Sequence, residues 1–237
     1  MNYAIILAGG KGTRMGNTDL PKQFLNLGKE PIIIQTIEKF MIFKGDIEKL
    51  IVTCSKEWIP YTRDIINKKW GANDWIEVVE GGTTRHESIL NGLNCISSNY
   101  LIGDNDVVLT HDAVRPFVNY RIIKENLKYG EKYGAVDTVI NATDTIVHST
   151  DGKTLSSIPP RNQVYQGQTP QTFNVNLLME CYNFLDKEVI ESTTDAAKLF
   201  LLLERDVHIV LGDETNIKIT NPTDLIIANA ILEKGLE

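Results

Sequence analysis

Short apolar runs of strand length alternate with longer segments of helical period, and this predicts an α/β fold: a Rossmann-like, mainly parallel twisted sheet flanked by helices. The apolar runs are nearly continuous, as expected of strands covered by helices on both faces. One stretch, residues 141–171, breaks the alternation and predicts a β-arm projecting from the sheet.

The first strand is predicted at Tyr3–Ala8 and runs into a glycine-rich turn. A helix at Ile32–Phe43, a strand at Lys49–Cys54 and a helix at Trp58–Lys69 follow. The alternation continues with a strand at Trp75–Glu80, a helix at Arg85–Ile96, a strand at Asp106–Thr110, a helix at Tyr120–Lys132 and a strand at Ala135–Ile140. Beyond the arm, helices are predicted at Val175–Leu185 and Thr194–Leu203, a strand at Val207–Leu211 and a last helix at Pro222–Leu232. Thr194-Asp195 supplies a capping side chain, and Asn221-Pro222 sets a proline in the first helical turn. Between Asn141 and Gln171 lie a strand-like Thr145–His148, the turn Asp151-Gly152, a short apolar stretch and Pro159-Pro160, which together read as a hairpin. Such an arm cannot bury its apolar face alone, so it is expected to pack on a second subunit in a homodimer. The expectation is one domain, 1–237, with a dimerisation arm at about 141–171. No internal repeat or low-complexity tract interrupts it.

The 237 residues are 42% hydrophobic and 23% charged, ordinary globular usage that can bury a sizeable core. A net charge of -7, from 24 Lys+Arg against 31 Asp+Glu, disfavours extended nucleic-acid binding. It leaves room for a small anion in a locally basic cleft. The three cysteines, Cys54, Cys95 and Cys181, form no Cys-x-x-Cys pair; neither a disulfide framework nor a zinc site is suggested, and a reducing cytoplasm fits. Tyr3–Ala8 lacks a basic leader and is too short to span a membrane, so no membrane insertion is expected. His86, His111, His148 and His208 lack metal-ligand spacing, and Trp58, Trp70 and Trp75 read as packing residues.

After the first strand comes Leu7-Ala8-Gly9-Gly10-Lys11-Gly12-Thr13-Arg14-Met15-Gly16, then Pro21-Lys22-Gln23-Phe24. Four glycines in eight residues let the backbone approach a ligand and aim N–H groups at it, which suits a triphosphate. Arg14 and Lys22 add cations where phosphate charge gathers. No register supplies the P-loop pattern Gly-x-x-x-x-Gly-Lys-Ser/Thr, and the dinucleotide fingerprint fails because Met15 stands at its third glycine. Gly81-Gly82 ends a predicted strand, with Arg85 and Ser88 just inside the next helix, where ligands sit in open parallel sheets. His111-Asp112-Ala113-Val114-Arg115-Pro116 brings a carboxylate and a guanidinium to the same edge, and Asp112 can ligate Mg²⁺.

These blocks resemble the cytidylyltransferases related to 2-C-methyl-D-erythritol 4-phosphate cytidylyltransferase. The likeness runs from the Leu-Ala-Gly-Gly-x-Gly-Thr-Arg-Met opening and Pro-Lys-Gln-Phe through Gly81 to Ser88, His111 to Pro116, Thr169-Pro170-Gln171 and Asn216-Ile217-Lys218, in the family's order and across nearly the whole chain. It implies a fold of the nucleotide-diphospho-sugar transferase type and, on this chain, a CTP site. That site would comprise Leu7, Ala8, Gly9, Gly10, Gly12 and Thr13, then Gly82, Thr83, Thr84, Arg85, His86, Glu87 and Ser88, and finally Asp112 and Ala113. Arg14 and Lys22 would be catalytic, stabilising the departing pyrophosphate, with Mg²⁺ or another divalent cation on Asp112. Arg161 and Lys218 match positions that hold the acceptor phosphate; Arg115 would hold the loop or that phosphate; Asp144, Thr145, Thr169 and Thr194 would bind acceptor hydroxyls. Since Arg161 lies in the arm, the acceptor site would be completed across the dimer.

Ile158-Pro159-x-Arg161, followed by Tyr165-Gln166-Gly167-Gln168-Thr169-Pro170-Gln171-Thr172-Phe173, is similar to the ribitol-5-phosphate cytidylyltransferase branch. The methylerythritol branch tends to carry a Trp- or Leu-containing stretch before Thr-Pro-Gln and an acidic residue where Thr215 stands. A departure is Ala197, where relatives commonly have cysteine. The resemblance implies transfer of the cytidylyl group of CTP to D-ribitol 5-phosphate, giving CDP-ribitol for a cell-wall or capsular polymer. The methylerythritol phosphate enzyme is the alternative within the class, and a noncatalytic nucleotide-binding or dinucleotide-dependent protein is the alternative outside it.

Overall fold

The computed structural model describes residues 1–10, 12, 15–16 and 20–235. Its strands and helices alternate as the periodicity predicts. β1 (Asn2–Ala8) enters the glycine-rich loop, and a small antiparallel pair, β2 (Asn26–Leu27) and β3 (Glu30–Pro31), leads into α1 (Ile32–Met41). Then come β4 (Lys49–Cys54), α2 (Ile59–Trp70), β5 (Ile76–Glu80), α3 (Arg85–Asn99), β6 (Val107–Asp112), α4 (Tyr120–Tyr133) and β7 (Ala135–Asn141). The chain ends with β8 (Tyr165–Asn174), α5 (Val175–Phe184), α6 (Lys187–Glu191), α7 (Ala196–Leu202), β9 (His208–Leu211) and α8 (Pro222–Lys234).

Among the described residues, seven strands form one sheet in the order β5-β4-β1-β6-β8-β7-β9. Every neighbouring pair is parallel except the two that β8 makes, with β6 and with β7. The alternation of side chains along β1 explains why its run is continuously apolar. Ala4, Ile6 and Ala8 join the core under α1, α2 and α4, while Tyr3 and Ile5 join the core under α3, α5 and α7. A third cluster seats α8, through Ala228 and Ile231, on Leu27, Ile32 and Phe117. Among the described residues no helix is long and apolar enough to cross a membrane. The described cysteines are unpaired thiols. The tryptophans pack as expected, Trp75 buried with its Nε1–H on the Ile47 carbonyl and Trp58 against Phe24.

Most element ends shift by one to three residues from the sequence reading, and the larger differences lie in the last third of the chain. Tyr165 to Gln171, assigned to the arm, belongs to β8 inside the sheet, so the protruding stretch ends near residue 164. Buried polar side chains made this strand look like a loop: Gln168, Thr169, Gln171 and Thr172 are all buried. Helix α7 starts at Ala196, with Asp195 accepting from the Ala197 N–H as its cap, which leaves Thr194 in the preceding loop. α6 was not anticipated at all. Within the protruding stretch His148 bridges to Ser157, while Val147, Leu155 and Ile158 remain exposed.

Candidate active site

The chain reverses its direction of winding at β1, where β4 and β5 lie on one side and β6 on the other. The loops after β1 and β6 therefore diverge and leave a crevice at the carboxyl edge of the sheet, the place where open α/β sheets bind ligands. A cavity of about 330 Å³ occupies it. Leu7, Ala8, Gly9 and Gly10 from the end of β1 form one wall, and Gly82, Thr83, Thr84, Arg85 and Ser88 from the start of α3 form another. Lys22, Asp112, Ala113, Thr194 and Lys218 close it.

The walls are held by their own hydrogen bonds. Gln23 donates from Nε2 to the Ala8 carbonyl at 2.6 Å and ties the Lys22 segment to the end of β1. Gly12, at φ +69°, lies so near Lys22 that a β-carbon would sit 3.1 Å from its backbone nitrogen, which is why the close approach needs glycine. At the opposite wall, Glu87 and Thr84 form a capping box, with the Glu87 carboxylate accepting from the Thr83 N–H and hydroxyl. Gly82 donates its N–H to Ser88 Oγ, and a β-carbon on Gly82 would stand 2.0 Å from Glu87 Cβ.

Asp112 is the electrostatic centre. Its carboxylate is buried at the end of β6, hydrogen-bonded to Arg85, 2.9 Å from Lys218 Nζ and 3.5 Å from Arg115 Nε. Burial pushes its pKa up, but the three cations outweigh that and hold it well below the usual carboxylate range. Beneath it Thr169 Oγ1 accepts from the Asp112 N–H and donates to His111 Nδ1, whose ring passes on an Nε2–H to the Arg115 carbonyl. Burial drives His111 down to about 4, so the ring is neutral. Arg115 also donates to the Asn216 carbonyl at 2.8 Å, fixing the turn that carries Lys218. Three cations against one carboxylate leave this pocket net positive although the chain is net negative.

The expected site residues thus divide. Lys22, Arg85, Asp112 and Lys218 converge on one cavity with Leu7, Ala8, Gly9, Gly10, Gly82, Thr83, Thr84, Ser88, Ala113 and Thr194, whereas Gly12 packs against Lys22 without lining it. Thr13 and Arg14 lie outside the described residues. His86 and Glu87 do not line the cavity: His86 is buried between Tyr182 and Thr193, and Glu87 caps its helix, because the turn of α3 points them away. Thr169 and Arg115 stand behind Asp112 as supports. Asp144, Thr145 and Arg161 sit on the protruding stretch, exposed, with Arg161 donating to Thr145 Oγ1 at 3.2 Å. Gln23 and Val114 line the cavity without having been anticipated; Gln23 was legible only as a neighbour of Lys22.

Among the described residues no group of three or more His, Cys, Asp or Glu side chains could hold a metal ion. Asp112 is the one carboxylate on the described cavity wall, and both its oxygens face cations. A divalent ion held mainly by phosphate oxygens and water would find its protein ligand on the described wall in Asp112, in competition with the cations that hold this carboxylate.

The family model described as 2-C-methyl-D-erythritol 4-phosphate cytidylyltransferase matches residues 2–234. Among solved structures, the chain is similar to 4-diphosphocytidyl-2C-methyl-D-erythritol synthase from Anaerococcus prevotii, with 32% identity, a TM-score of 0.80, and coverage of 98% of this chain and 96% of that one. It is also similar to the 2-C-methyl-D-erythritol 4-phosphate cytidylyltransferases of Francisella tularensis (28% identity, TM-score 0.78, coverage 97% and 98%) and Thermus thermophilus (27%, 0.74, 98% and 100%).

Proposed function

Since the chain belongs to the 2-C-methyl-D-erythritol 4-phosphate cytidylyltransferase family, and is therefore a nucleotidyltransferase, we propose that it transfers the cytidylyl group of CTP to D-ribitol 5-phosphate. The products are CDP-ribitol, a precursor for a cell-wall or capsular polymer, and pyrophosphate. The observation that carries the transfer chemistry is the meeting of the Gly9-Gly10 backbone, Lys22, Arg85 and Lys218 around one cavity beside the buried Asp112.

In this reading the CTP triphosphate lies against the N–H groups of the glycine loop, with the nucleoside toward Gly82 to Ser88. A phosphate oxygen of the acceptor attacks the α-phosphorus in line; the new P–O bond forms as the bond to the β-phosphate oxygen breaks, and pyrophosphate departs. A phosphate dianion is already a competent nucleophile, so the protein's task is positioning and charge neutralisation by Arg14, Lys22 and backbone N–H groups. Magnesium, when bound, would neutralise triphosphate charge, and Asp112 would hold it. Asp112 also keeps Arg85 and Lys218 aimed at the cavity. Lys218 holds the acceptor phosphate, Thr194 serves the polyol side, Thr169 supports Asp112 from behind, and Arg115 braces the Lys218 turn.

The acceptor assignment rests on the stretch from Ile158 to Phe173 and on Thr215. A second reading, methylerythritol 4-phosphate as acceptor, is favoured by the names of the similar structures. Pyrophosphate release measured with four nucleotides crossed against both acceptors tests the proposal. CTP with ribitol 5-phosphate should give the highest kcat/KM, and preference for methylerythritol 4-phosphate would transfer the assignment to the second reading.

Arg161 reaches no cavity-lining position in its own chain, and Val147, Leu155 and Ile158 are exposed nearby. Both features support a homodimer in which each arm brings Arg161 to the partner's acceptor site. A monomer in sedimentation velocity at micromolar concentration would eliminate this arrangement.

A further inference from the structure

Thr194 reaches the cavity from a loop whose two flanking residues are tied to different walls of the molecule. On one side, Thr193 Oγ1 donates to the Ile190 carbonyl at 3.0 Å and so accepts at 2.8 Å from His86 Nε2. That assigns the ring proton to Nε2 and leaves Nδ1 to accept from the Tyr182 hydroxyl at 2.9 Å. The chain Tyr182–His86–Thr193 is buried and joins α5, α3 and the loop. Burial, with Arg85 adjacent, holds the His86 pKa below its ordinary value and keeps the ring in this neutral form. On the other side, Asp195 Oδ1 accepts from Gln171 Nε2 at 2.7 Å while capping α7. The same Nε2 donates to Asp137 Oδ1 at 2.9 Å.

The orientation of Gln171 shows which end of its amide matters. Its Oε1 is buried without a hydrogen-bond partner among the described residues, a cost to the fold, while the amine end serves two carboxylates. Gln171 is itself anchored in β8, between β6, whose end carries Asp112, and β7. The loop is thus suspended at two points one residue either side of Thr194, one point on the helix that opens the nucleotide wall and the other on the sheet.

We propose that His86 and Gln171 are positioning residues that together hold Thr194 at the acceptor side of the cavity, so that this loop selects the polyol acceptor without touching the nucleotide. The inference rests on the acceptor role given to Thr194 above. The suspension itself is independent of that role, and the experiment reads the two separately.

Three variants are compared with the parent: His86→Leu, which removes one tie, Gln171→Met, which removes the other at similar volume, and Thr194→Val, an exposed change that leaves both ties in place. Deuterium uptake by the amides of residues 191–197 is measured without substrate, and KM is measured for CTP and for ribitol 5-phosphate separately. The suspension requires uptake in both tie variants to rise roughly tenfold or more, and parental uptake in Thr194→Val. Unchanged uptake in either tie variant overturns it. Each of the three variants should raise the acceptor KM roughly tenfold or more, the scale of a misplaced substrate contact, with the KM for CTP within about twofold. His86→Gln, which restores a donor toward Thr193, should recover most of the loss. Parallel rises in both KM values, or a fall in kcat alone, would reduce both residues to structural support and sink the proposal. If the parent turns over neither acceptor, the function proposed above fails while the exchange result still decides the suspension. Should His86→Leu not fold, Gln171→Met and His86→Gln carry the same comparison.

Discussion

Replacing Asp112 by Asn probes the site's electrostatics most sharply, because it removes one charge and leaves three. In the parent, Arg85, Arg115 and Lys218 share a single buried carboxylate. Taking away one member of a buried ion cluster leaves uncompensated charge, and such changes cost about 3–5 kcal/mol. Arg85 and Arg115 have side chains only 22% and 10% exposed, so water cannot fully take over the role of Asp112, whereas Lys218, at 39%, can turn toward solvent. At about 2–4 °C per kcal/mol for a chain of this size, the melting temperature should fall by roughly 6–20 °C. The same vacancy in the charge balance should favour an anion. Pyrophosphate at about 100 times its Kd stabilises a protein by roughly 2.7 kcal/mol, and the variant should bind it more tightly than the parent does. Thermal scans of both proteins across a pyrophosphate titration read both effects, and turnover should be lost. A variant within about 1 kcal/mol of the parent, or equally stabilised by pyrophosphate, would refute the idea that Asp112 restrains cations meant for phosphate.

Three further outcomes are expected. Lys22→Ala should cut turnover by roughly a hundredfold or more, the usual scale for one preorganised electrostatic group, and steady-state pyrophosphate release would expose an error if turnover stayed at the parental rate. Asp137 is raised to about 7 by burial and by Asp195, so above the ordinary carboxylate range its ionisation works against the fold. The folded carboxyl keeps a proton that the unfolded chain has lost between about pH 4 and 7, so Asp137→Asn should stabilise by up to about 4 kcal/mol near pH 7–8, with the gain gone by about pH 4 in urea titrations. Gly82→Ala forces a β-carbon to within 2.0 Å of Glu87 Cβ. It should open the capping box and raise the KM for CTP, as initial rates at varied CTP would record.

Most of the architecture was legible because the strands and helices that build it are apolar at the right period. Ile32–Met41, Lys49–Cys54 and Ala135–Asn141 announce themselves by hydrophobicity alone. β8 did not, since most of its buried side chains are polar, with partners distant in sequence: Thr172 donates to Asn126, and Gln168 to the Asp213 carbonyl. Nothing local distinguishes such a strand from a loop. For the cavity, the glycine loop and the turns after β5 and β6 could be placed from their position at strand ends. The direction in which each side chain of Gly82 to Ser88 points could not. Helical geometry turns His86 into the core and Ser88 toward Gly82, a distinction that spacing within a motif does not carry. The cluster of cations on Asp112 was half visible: Arg115 is near in sequence, but Arg85 and Lys218 arrive from separate elements.

The most direct test of the account is diffraction from crystals grown with CTP and Mg²⁺. The triphosphate should lie on the N–H groups of Gly9 and Gly10 within reach of Lys22, with the cytosine and ribose against Gly82 to Ser88 and the α-phosphate turned toward Lys218. Nucleotide bound on any other surface, with this cavity left to solvent, would contradict it.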